Sequence, residues 1–454
     1  MYLGPFGHAI PLADLQNEKK VLRELTVHSP KKFIGPPDPP ILCYRKSSSK
    51  LYVPRFYGKA KFGAVEMRLP SPTKIEVKFE GSVRDTQIPA IEAFMNSPDK
   101  CGLLQLPCGF GKTVIALKLI SMLGLKTLIV VHKSFLMEQW AERIAAFLPG
   151  AKIGRIQGPT TEHEGCDIVL GMLQSLSMKE YPPHTFSSFG FTVIDETQHM
   201  GADVFSSTLF KIVTRHMLGL SATMERKDGR SKVFQMFLGN LLYDAVREPS
   251  STVLVHQVAF DSRDPAYNDA GDNYAVMIRA ICEFAPRTEM ILGVLAHLLK
   301  DPLNGKIMVL AQNLSLLRYL FGAIQQRNEE FSGATVGYYV GGMKKGALKD
   351  TEECKVVLGT YAMAEEGLDI PALTTLVLAT PRSDVTQAVG RILRLKHERP
   401  QVVDILDYHF ASQASKRLSF YRQNGYTIVY SDAGKYPEIS ADKTKKKKLL
   451  MKLE

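Results

Sequence analysis

The chain carries the sequence LQLPCGFGKT at residues 104–113, after a predicted buried strand and at the start of a predicted helix over residues 114–123. Glycines at positions 109 and 111 let the backbone turn its N–H groups toward a phosphate, and the helix N-terminus adds positive potential. Lys112 can then reach the β and γ phosphates of a nucleotide, while Thr113 can ligate Mg²⁺. The stretch predicts a nucleotide-binding loop; the alternative is a glycine-rich turn that binds no nucleotide. The predicted cofactor contacts are Pro107, Cys108, Gly109, Phe110, Gly111, Lys112 and Thr113.

Short apolar runs alternate with stretches of helical periodicity on both sides of this loop. This alternation is typical of βαβ units and of a mostly parallel sheet covered on both faces. A first series predicts strands at residues 101–106, 127–131, 167–171, 191–194 and 217–220. A second series predicts strands at residues 306–310, 334–339, 354–359, 375–379 and 401–406. The pattern predicts two α/β lobes, and the mixed composition of residues 243–273 predicts a connection between them and no core element.

The composition limits the expected partners and cellular compartment of the protein. The 454 residues include 57 Lys and Arg against 46 Asp and Glu, a formal charge of +11, which favours a polyanionic partner. The six cysteines form no C-x-x-C pair, so neither a zinc site nor a disulfide framework is predicted, and a reducing intracellular compartment fits. No window approaches the length of a membrane span. We expect a soluble protein that is not secreted and has no membrane partner.

Both ends of the chain differ from the two series. Residues 1–80 carry proline-rich pieces and predict a small N-terminal module, with a β-hairpin over residues 41–58 that turns at residues 47–50. Residues 41–62 mix cations with aromatics and contain no acid, which predicts that Arg45 and Arg55 contact nucleic-acid phosphates. The alternative is a hairpin whose aromatics pack on the first lobe. The basic tail, residues 436–454, is interpreted as a nucleic-acid arm, a nuclear-localisation signal or a solvated tail.

Further motifs follow the loop in order. An apolar strand runs into DETQH at residues 195–199, so Asp195 can hold Mg²⁺ through water and Glu196 can orient and deprotonate an attacking water. Alone, such an acidic pair is more often a solvated loop, but together with the phosphate loop it favours an ATPase. The third motif is GLSAT at residues 219–223, and the fourth is QAVGRILR at residues 387–394.

The four motifs in this order resemble those of superfamily 2 helicases. The finer pattern is similar to the XPB type and, more closely, to the poxvirus transcript-release helicases and their relatives in large DNA viruses and phages. The resemblance covers roughly residues 81–430 and is carried by RDTQ at 84–87, PCGFGKT at 107–113, EQW at 138–140, SATMERKDG at 221–229, APR at 285–287, GGM at 341–343, EGLDIP at 366–371 and QAVGRILR at 387–394. It implies two RecA-like lobes, at residues 81–245 and, with the linker, 246–435, that bind ATP and Mg²⁺ between them.

The resemblance also implies roles for single residues. Gln87, with Arg84 nearby, would recognise adenine. Gly367 and Asp369 would contribute to the ATP-facing side of the second lobe, and Gln387 would also contact the cofactor. Arg391, as an arginine finger, and Arg394 would reach the γ-phosphate. Coupling of ATP to nucleic acid would fall to Gln198, His199, Ser221 and Thr223. Contacts to the nucleic-acid backbone would come from His132, Lys133, Gln174, Ser175, Gly359 and Thr360.

The sequence departs from the family pattern at three places. Leu106 stands where the general Walker pattern has glycine, Gln198 stands where helicases usually carry histidine, and Lys227 replaces an acid of the XPB Arg-Glu-Asp element. The last change weakens the case for strand separation by residues 226–228. The resulting prediction is a DNA helicase or translocase moving 3′ to 5′ on single-stranded, duplex or branched DNA. It would act in viral or phage transcription, recombination or repair.

Two alternatives remain, an RNA helicase or remodeller and a nucleic-acid-binding scaffold with a decayed ATPase. Transcription or replication machinery is the expected protein partner. The expected location is the cytoplasm or nucleus of an infected host, or the virion.

Overall fold

The computed structural model describes residues 1–28, 39–107, 109–182, 184–197, 202–222, 231–245, 252–268, 273–366, 370–395 and 397–438. The chain divides into two compact units, Met1–Val246 and Arg247–Glu454. Each unit is built around a β-sheet with helices packed on it, and each is described by itself below.

Unit 1 begins with a small antiparallel sheet. Its strands, in the order β1-β2-β6-β5, and a separate pair, β3 and β4, are β1 Tyr2–Gly4, β2 Gly7–Pro11, β3 Thr26–Val27, β4 Ile41–Leu42, β5 Arg45–Lys46 and β6 Lys50–Val53. The helices here are α1 Glu18–Glu24 and α2 Arg55–Phe62. The predicted hairpin is present, since β5 pairs with β6 in the register Lys46 to Leu51. It is shorter than predicted at both ends: β4 pairs with β3 instead, and Pro54, which has no N–H to donate to a ladder, stands at the N-cap of α2.

The main sheet of unit 1 contains the nucleotide-binding loop. Its strands, in the order β10-β9-β11-β8-β12-β13-β7-β14, are β7 Cys101–Gln105, β8 Thr127–Val131, β9 Ile153–Gln157, β10 Thr160–Glu162, β11 Ile168–Met172, β12 Phe191–Ile194, β13 His216–Ser221 and β14 Leu241–Asp244. The helices are α3 Ile88–Met95, α4 Lys112–Leu123, α5 Ser134–Phe147, α6 Leu173–Met178, α7 Ala202–Leu209 and α8 Ser231–Leu238. The strands pair in parallel except β10 with β9.

Both faces of this sheet are covered. In β8, Leu128 and Val130 join the apolar cluster on one face, whereas Ile129 and Val131 join the cluster on the other. This alternation follows from the two-residue period of a strand, and burial on both faces is what a parallel sheet with crossover helices requires. The carboxyl ends of the parallel strands therefore lie at one edge of the sheet, and the polar residues of the loops that follow them can lie close together there.

The sheet of unit 2 is entirely parallel among the residues described. Its strands, in the order β17-β18-β16-β19-β20-β15-β21, are β15 Leu254–Phe260, β16 Lys306–Ala311, β17 Val336–Tyr339, β18 Val356–Thr360, β19 Leu373–Leu378, β20 Gln401–Asp407 and β21 Thr427–Asp432. The helices are α9 Pro265–Asn268, α10 Tyr274–Glu283, α11 Ala285–Lys300, α12 Leu314–Gln326, α13 Lys345–Glu352, α14 Tyr361–Glu366, α15 Thr386–Arg391 and α16 Ala411–Gln423. The predicted fold class, two parallel-sheet α/β lobes, is confirmed.

The prediction for residues 243–273 is wrong over its central part. β15 lies inside the unit 2 sheet, between β20 and β21. Its polar residues, His256 and Gln257, are buried but bonded: the His256 ring contacts the Ser431 hydroxyl at 2.5 Å, and Gln257 Nε2 donates to Asp404 Oδ2 at 3.1 Å. The sequence alone suggests a connection here, because the hydrogen-bond partners of these polar residues lie far away in the sequence. Within the described ranges, no helix has both the length and the apolar composition that crossing a bilayer needs.

Candidate functional site

The loop between β7 and α4 has the geometry that its sequence predicts. Gly109 and Gly111 take left-handed φ values of +80° and +92°, which glycine adopts at little cost. Phe110 N donates to the Pro107 carbonyl at 3.1 Å, which closes the turn. A Cβ at position 111 would lie 2.2 Å from Gln87 Nε2, so any other residue there would displace the Gln87 amide. Cys108 lies outside the described residues.

Arg84 and Gln87 hold this loop from one side. Gln87 is 2% exposed; its Oε1 accepts from Arg84 N at 3.0 Å, and its Nε2 donates to the Phe110 carbonyl at 2.7 Å. The Arg84 guanidinium donates to the carbonyls of Gly109, at 3.1 Å, and of Phe110. Since a trans peptide directs its C=O and N–H to opposite sides, the N–H of Gly111 points away from Gln87. The two residues thus set the orientation of the loop's peptide groups.

Lys112 and Glu196 meet at the start of α4. Lys112 Nζ lies 2.5 Å from Glu196 Oε1, and the two side chains are 13% and 20% exposed. Glu196 has a φ of +51°, which is unfavourable for a residue with a side chain. Such backbone conformations cost on the order of 1–3 kcal/mol and cluster at functional sites. The phosphate loop and the acidic motif, 84 residues apart, are therefore in direct contact.

Asp195 is the more buried of the two carboxylates, at 7% exposure. Its Oδ1 accepts from Glu196 N at 3.0 Å, and its Oδ2 accepts from Trp140 Nε1 at 2.9 Å. Burial and the negative charge of Glu196 raise the pKa of Asp195 to about 6, against the opposing effects of Lys112 and of the bond from Trp140. A divalent cation beside this carboxylate would favour its ionised form.

The oxygen atoms at this edge of the sheet suit Mg²⁺. Thr113, in the first turn of α4, follows Lys112 directly, and Lys112 contacts the residue after Asp195. Mg²⁺ prefers hard oxygen ligands and is usually held by one or two protein groups together with phosphates and water. In the part of the chain that the structure describes, no group of three or more His, Cys, Asp or Glu side chains could hold a metal by itself. One hydroxyl and one carboxylate fit an ion that arrives with a nucleotide.

The end of β13 contacts both of these motifs. The Ser221 carbonyl accepts from Leu106 N at 2.8 Å, at the start of the phosphate loop. The Leu220 carbonyl accepts from the Thr197 hydroxyl at 3.3 Å, just after the acidic pair. Thr197, which is 1% exposed, was missed by sequence reasoning, because a threonine after two acids carries no signal of its own. Three other residues predicted to couple, Gln198, His199 and Thr223, lie outside the described residues.

The residues predicted to contact nucleic acid in unit 1 follow the carboxyl ends of two other strands of the same sheet. His132, 9% exposed, and the half-buried Lys133 come directly after β8, and Gln174 and Ser175 lie on α6 after β11. Gln174 is exposed, while the Ser175 hydroxyl accepts from Gly158 N at 2.9 Å. They share an edge of the sheet with Lys112 and Asp195, as the parallel order of the strands requires.

In unit 2, the corresponding residues lie at the end of β18 and on α15. Gly359 is buried, and a Cβ there would lie 2.8 Å from Met308 Cε, whereas Thr360, the last residue of β18, is half-buried. Arg391 ends α15 at 7% exposure, and its Nε donates to the Ala364 carbonyl at 2.7 Å. Gln387 and Arg394 are half-buried. Gly367 and Asp369 lie outside the described residues.

The prediction that Arg45 and Arg55 contact phosphates is not supported by their positions. Arg55 is 5% exposed and donates to the Arg215 carbonyl at 2.8 Å and to Cys101 Sγ at 3.3 Å. Arg45 donates to the Ser207 carbonyl at 3.1 Å and lies 5.4 Å from the centre of the Phe210 ring. Both guanidinium groups are bonded within unit 1, so the alternative, a segment that packs on the first lobe, describes these residues better.

The sequence is similar to a helicase family model and to viral proteins named as helicases. Residues 80–226 match the family model described as "Type III restriction enzyme, res subunit". A protein of Acanthamoeba polyphaga mimivirus, named as an ATP-dependent RNA helicase, is 31% identical over 93% of this chain and 85% of its own length. A protein of Invertebrate iridescent virus 6, named as a helicase, is 26% identical over 86% of this chain and 92% of its own length.

Solved structures give the fold. The structure of S. cerevisiae Dbp5 bound to RNA and ADP BeF3 is similar, with a TM-score of 0.55, 12% identity, and coverage of 82% of this chain and 93% of that one. At this identity the likeness concerns the arrangement of the sheets and helices only. The mimivirus relative, with the matched family model and the iridovirus protein, shows that the chain belongs to the superfamily 2 helicases of large DNA viruses and is an ATP-hydrolysing helicase.

Proposed function

We propose that this helicase acts on DNA, with nucleic-acid-stimulated ATP hydrolysis driving movement 3′ to 5′. The observation that carries the ATP-driven part is the contact of Lys112 with Glu196, next to the buried carboxylate of Asp195. The resemblance of its motifs to XPB-type and poxvirus transcript-release helicases supports DNA and the direction. Its setting would be viral or phage transcription, recombination or repair in an infected cell, with transcription or replication machinery as partner.

The residues around the loop would share the work of hydrolysis. Lys112 would neutralise the β and γ phosphates, and Thr113 and Asp195 would hold Mg²⁺, which supplies positive charge to the phosphate oxygens when bound. Glu196 would orient the attacking water and accept its proton. Its bond to Lys112 supports this role, because it holds the carboxylate at the phosphate end of the loop.

Other residues would recognise the adenine base and stabilise the negative charge that develops on the γ-phosphate. Arg84 and Gln87 would recognise adenine, an assignment supported by their bonds to the loop that would hold the phosphates. Arg391 and Arg394 would stabilise negative charge on the γ-phosphate in the transition state. Cofactor contacts in unit 2 are proposed for Gln387, Gly367 and Asp369, and coupling for Gln198, His199, Ser221 and Thr223. Nucleic-acid contacts are proposed for His132, Lys133, Gln174, Ser175, Gly359 and Thr360.

The test is ATP turnover by the full chain with no nucleic acid, single-stranded DNA, duplex DNA, branched DNA and RNA of matched sequence. We expect DNA to stimulate turnover, and a duplex with a 3′ single-stranded tail to be separated faster than one with a 5′ tail. Stimulation by RNA alone would overturn the DNA assignment. Faster separation of the 5′-tailed duplex would overturn the direction.

An RNA helicase or remodeller is the second candidate. It is favoured by the name of the mimivirus relative, which describes an RNA helicase. A displacement assay on RNA duplexes, run beside the DNA assay, separates the two candidates. A scaffold with a decayed ATPase is disfavoured, because the chain retains Lys112, Asp195, Glu196 and Arg391.

A further inference from the structure

Trp140 is the only tryptophan of the chain and lies on α5, in the EQW segment at residues 138–140. The indole is 2% exposed and belongs to the same apolar cluster as Ile115 of α4 and Val193 of β12. Its Nε1 donates to Asp195 Oδ2 at 2.9 Å. A buried tryptophan usually finds a partner for its N–H. Here that partner is the carboxylate to which the proposed function assigns Mg²⁺.

The bond fixes the orientation of Asp195. One carboxylate oxygen accepts from Glu196 N and the other from Trp140 Nε1, so rotation about the Cβ–Cγ bond would break at least one bond. An ionised carboxylate has about four lone-pair sites, so two accepted hydrogen bonds leave capacity for a metal-bound water. The bond is charge-assisted when Asp195 is ionised, and such bonds are stronger than neutral ones.

We propose that Trp140 is a positioning residue whose indole N–H holds Asp195 in the orientation that binds Mg²⁺ with nucleotide. The inference rests on the proposed function, because it takes Asp195 as the magnesium residue. A tryptophan that only fills the core would act through its ring and would not need its N–H. Removal of the indole N–H should therefore weaken Mg²⁺-dependent nucleotide binding only if Trp140 is a positioning residue.

The experiment compares Trp140→Phe with Met137→Leu, a conservative change at another fully buried position of α5. Binding of a fluorescent ADP analogue to the full chain is measured by anisotropy in saturating Mg²⁺ and in EDTA. In Trp140→Phe we expect affinity in Mg²⁺ to fall about 10- to 100-fold, the usual effect of losing a group that orients a metal ligand. Affinity in EDTA should stay unchanged, and Met137→Leu should change neither. A folded Trp140→Phe protein with unchanged affinity in Mg²⁺, or with equal losses in both conditions, would overturn the proposal.

A second measurement uses the wild-type protein and so does not depend on the folding of Trp140→Phe. Trp140 emission is followed while Mg²⁺ is added to the ADP complex. We expect emission to change with Mg²⁺ and the change to disappear in Asp195→Asn, which keeps an oxygen for the indole but loses the charge. Constant emission in a protein that binds ADP more tightly with Mg²⁺ would contradict the role of Trp140. No binding of nucleotide under either condition would instead refute the proposed function, and this inference with it.

Discussion

Replacing Arg55 by alanine tests whether the N-terminal basic segment is structural. The guanidinium is buried against lobe 1, with bonds of 2.8 Å to the Arg215 carbonyl and 3.3 Å to Cys101 Sγ. A hydrogen bond from a charged group contributes about 1.5–3 kcal/mol, and each buried methylene of the stem about 0.8 kcal/mol. Asp99 would keep its partner Lys59, at 2.5 Å, so no isolated charge is left. From the short bond to the Arg215 carbonyl and the two methylenes that alanine lacks, we expect the free energy of unfolding to fall by roughly 3 to 5 kcal/mol.

The assay is urea unfolding followed by the emission of Trp140, which lies in unit 1 and reports on that unit alone. This matters because a chain with two units need not unfold in one step. Lys46→Ala is the control, since its ion pair with Glu18 is exposed at 44% and 34% and should contribute less than about 1 kcal/mol.

Arg55→Lys separates geometry from charge. Lysine keeps the positive charge but lacks the planar fork that reaches several acceptors, so this variant should also be destabilised. A phosphate contact would survive the change and would contribute about 0.9 units to the slope of log K against log salt on duplex DNA. A stable Arg55→Ala protein with a reduced salt slope would refute the structural interpretation.

Three further predictions concern the two units separately. Lys112→Ala should abolish ATP hydrolysis in a folded protein, because it removes the charge facing the phosphates; near-normal steady-state turnover with an unchanged melting temperature would contradict the loop assignment. Arg391→Ala should keep ATP affinity within about tenfold but lower turnover of bound ATP by roughly 10³ to 10⁵, measured by single-turnover kinetics; a collapse of affinity alone would make it a ground-state ligand. Burial lowers the pKa of His256 to about 4 from an ordinary value near 6.5, so the unfolded chain binds more protons between those values, and stability should fall as pH drops through that range. His256→Gln should flatten this loss in thermal melts followed by circular dichroism, and an identical pH dependence in both proteins would contradict it.

The parts that sequence reasoning predicted are those whose signal is local. The phosphate loop, its strand and its helix form one continuous stretch, and all ten predicted strands are present with small shifts at their ends. The acidic pair was recognisable because a strand precedes it directly, but the left-handed φ of Glu196 has no sequence signal in a residue with a side chain.

Two interpretations depended on polar residues whose partners lie far away in the sequence. Gln257 is compatible with a buried strand only because Asp404, 147 residues away, accepts its hydrogen bond. Arg55 is compatible with burial only because the Arg215 carbonyl, 160 residues away, accepts from it. Composition suggested a connection between lobes for Gln257 and left phosphate contact or packing on the first lobe open for Arg55, whereas the fold supplied the partners.

The pairing of the N-terminal cations also constrains where nucleic acid can bind. Lys46, Lys59 and Lys61 lie against Glu18, Asp99 and Glu24, none of which belongs to the segment that looked purely basic. Much of the segment's positive charge is therefore neutralised locally, and it adds little to a field that attracts a polyanion. The overall charge of +11 must then act through other surfaces. The edge of the unit 1 sheet that carries Lys133 and Gln174 is the better candidate, because a strand bound there would lie along the same edge as Lys112 and Asp195.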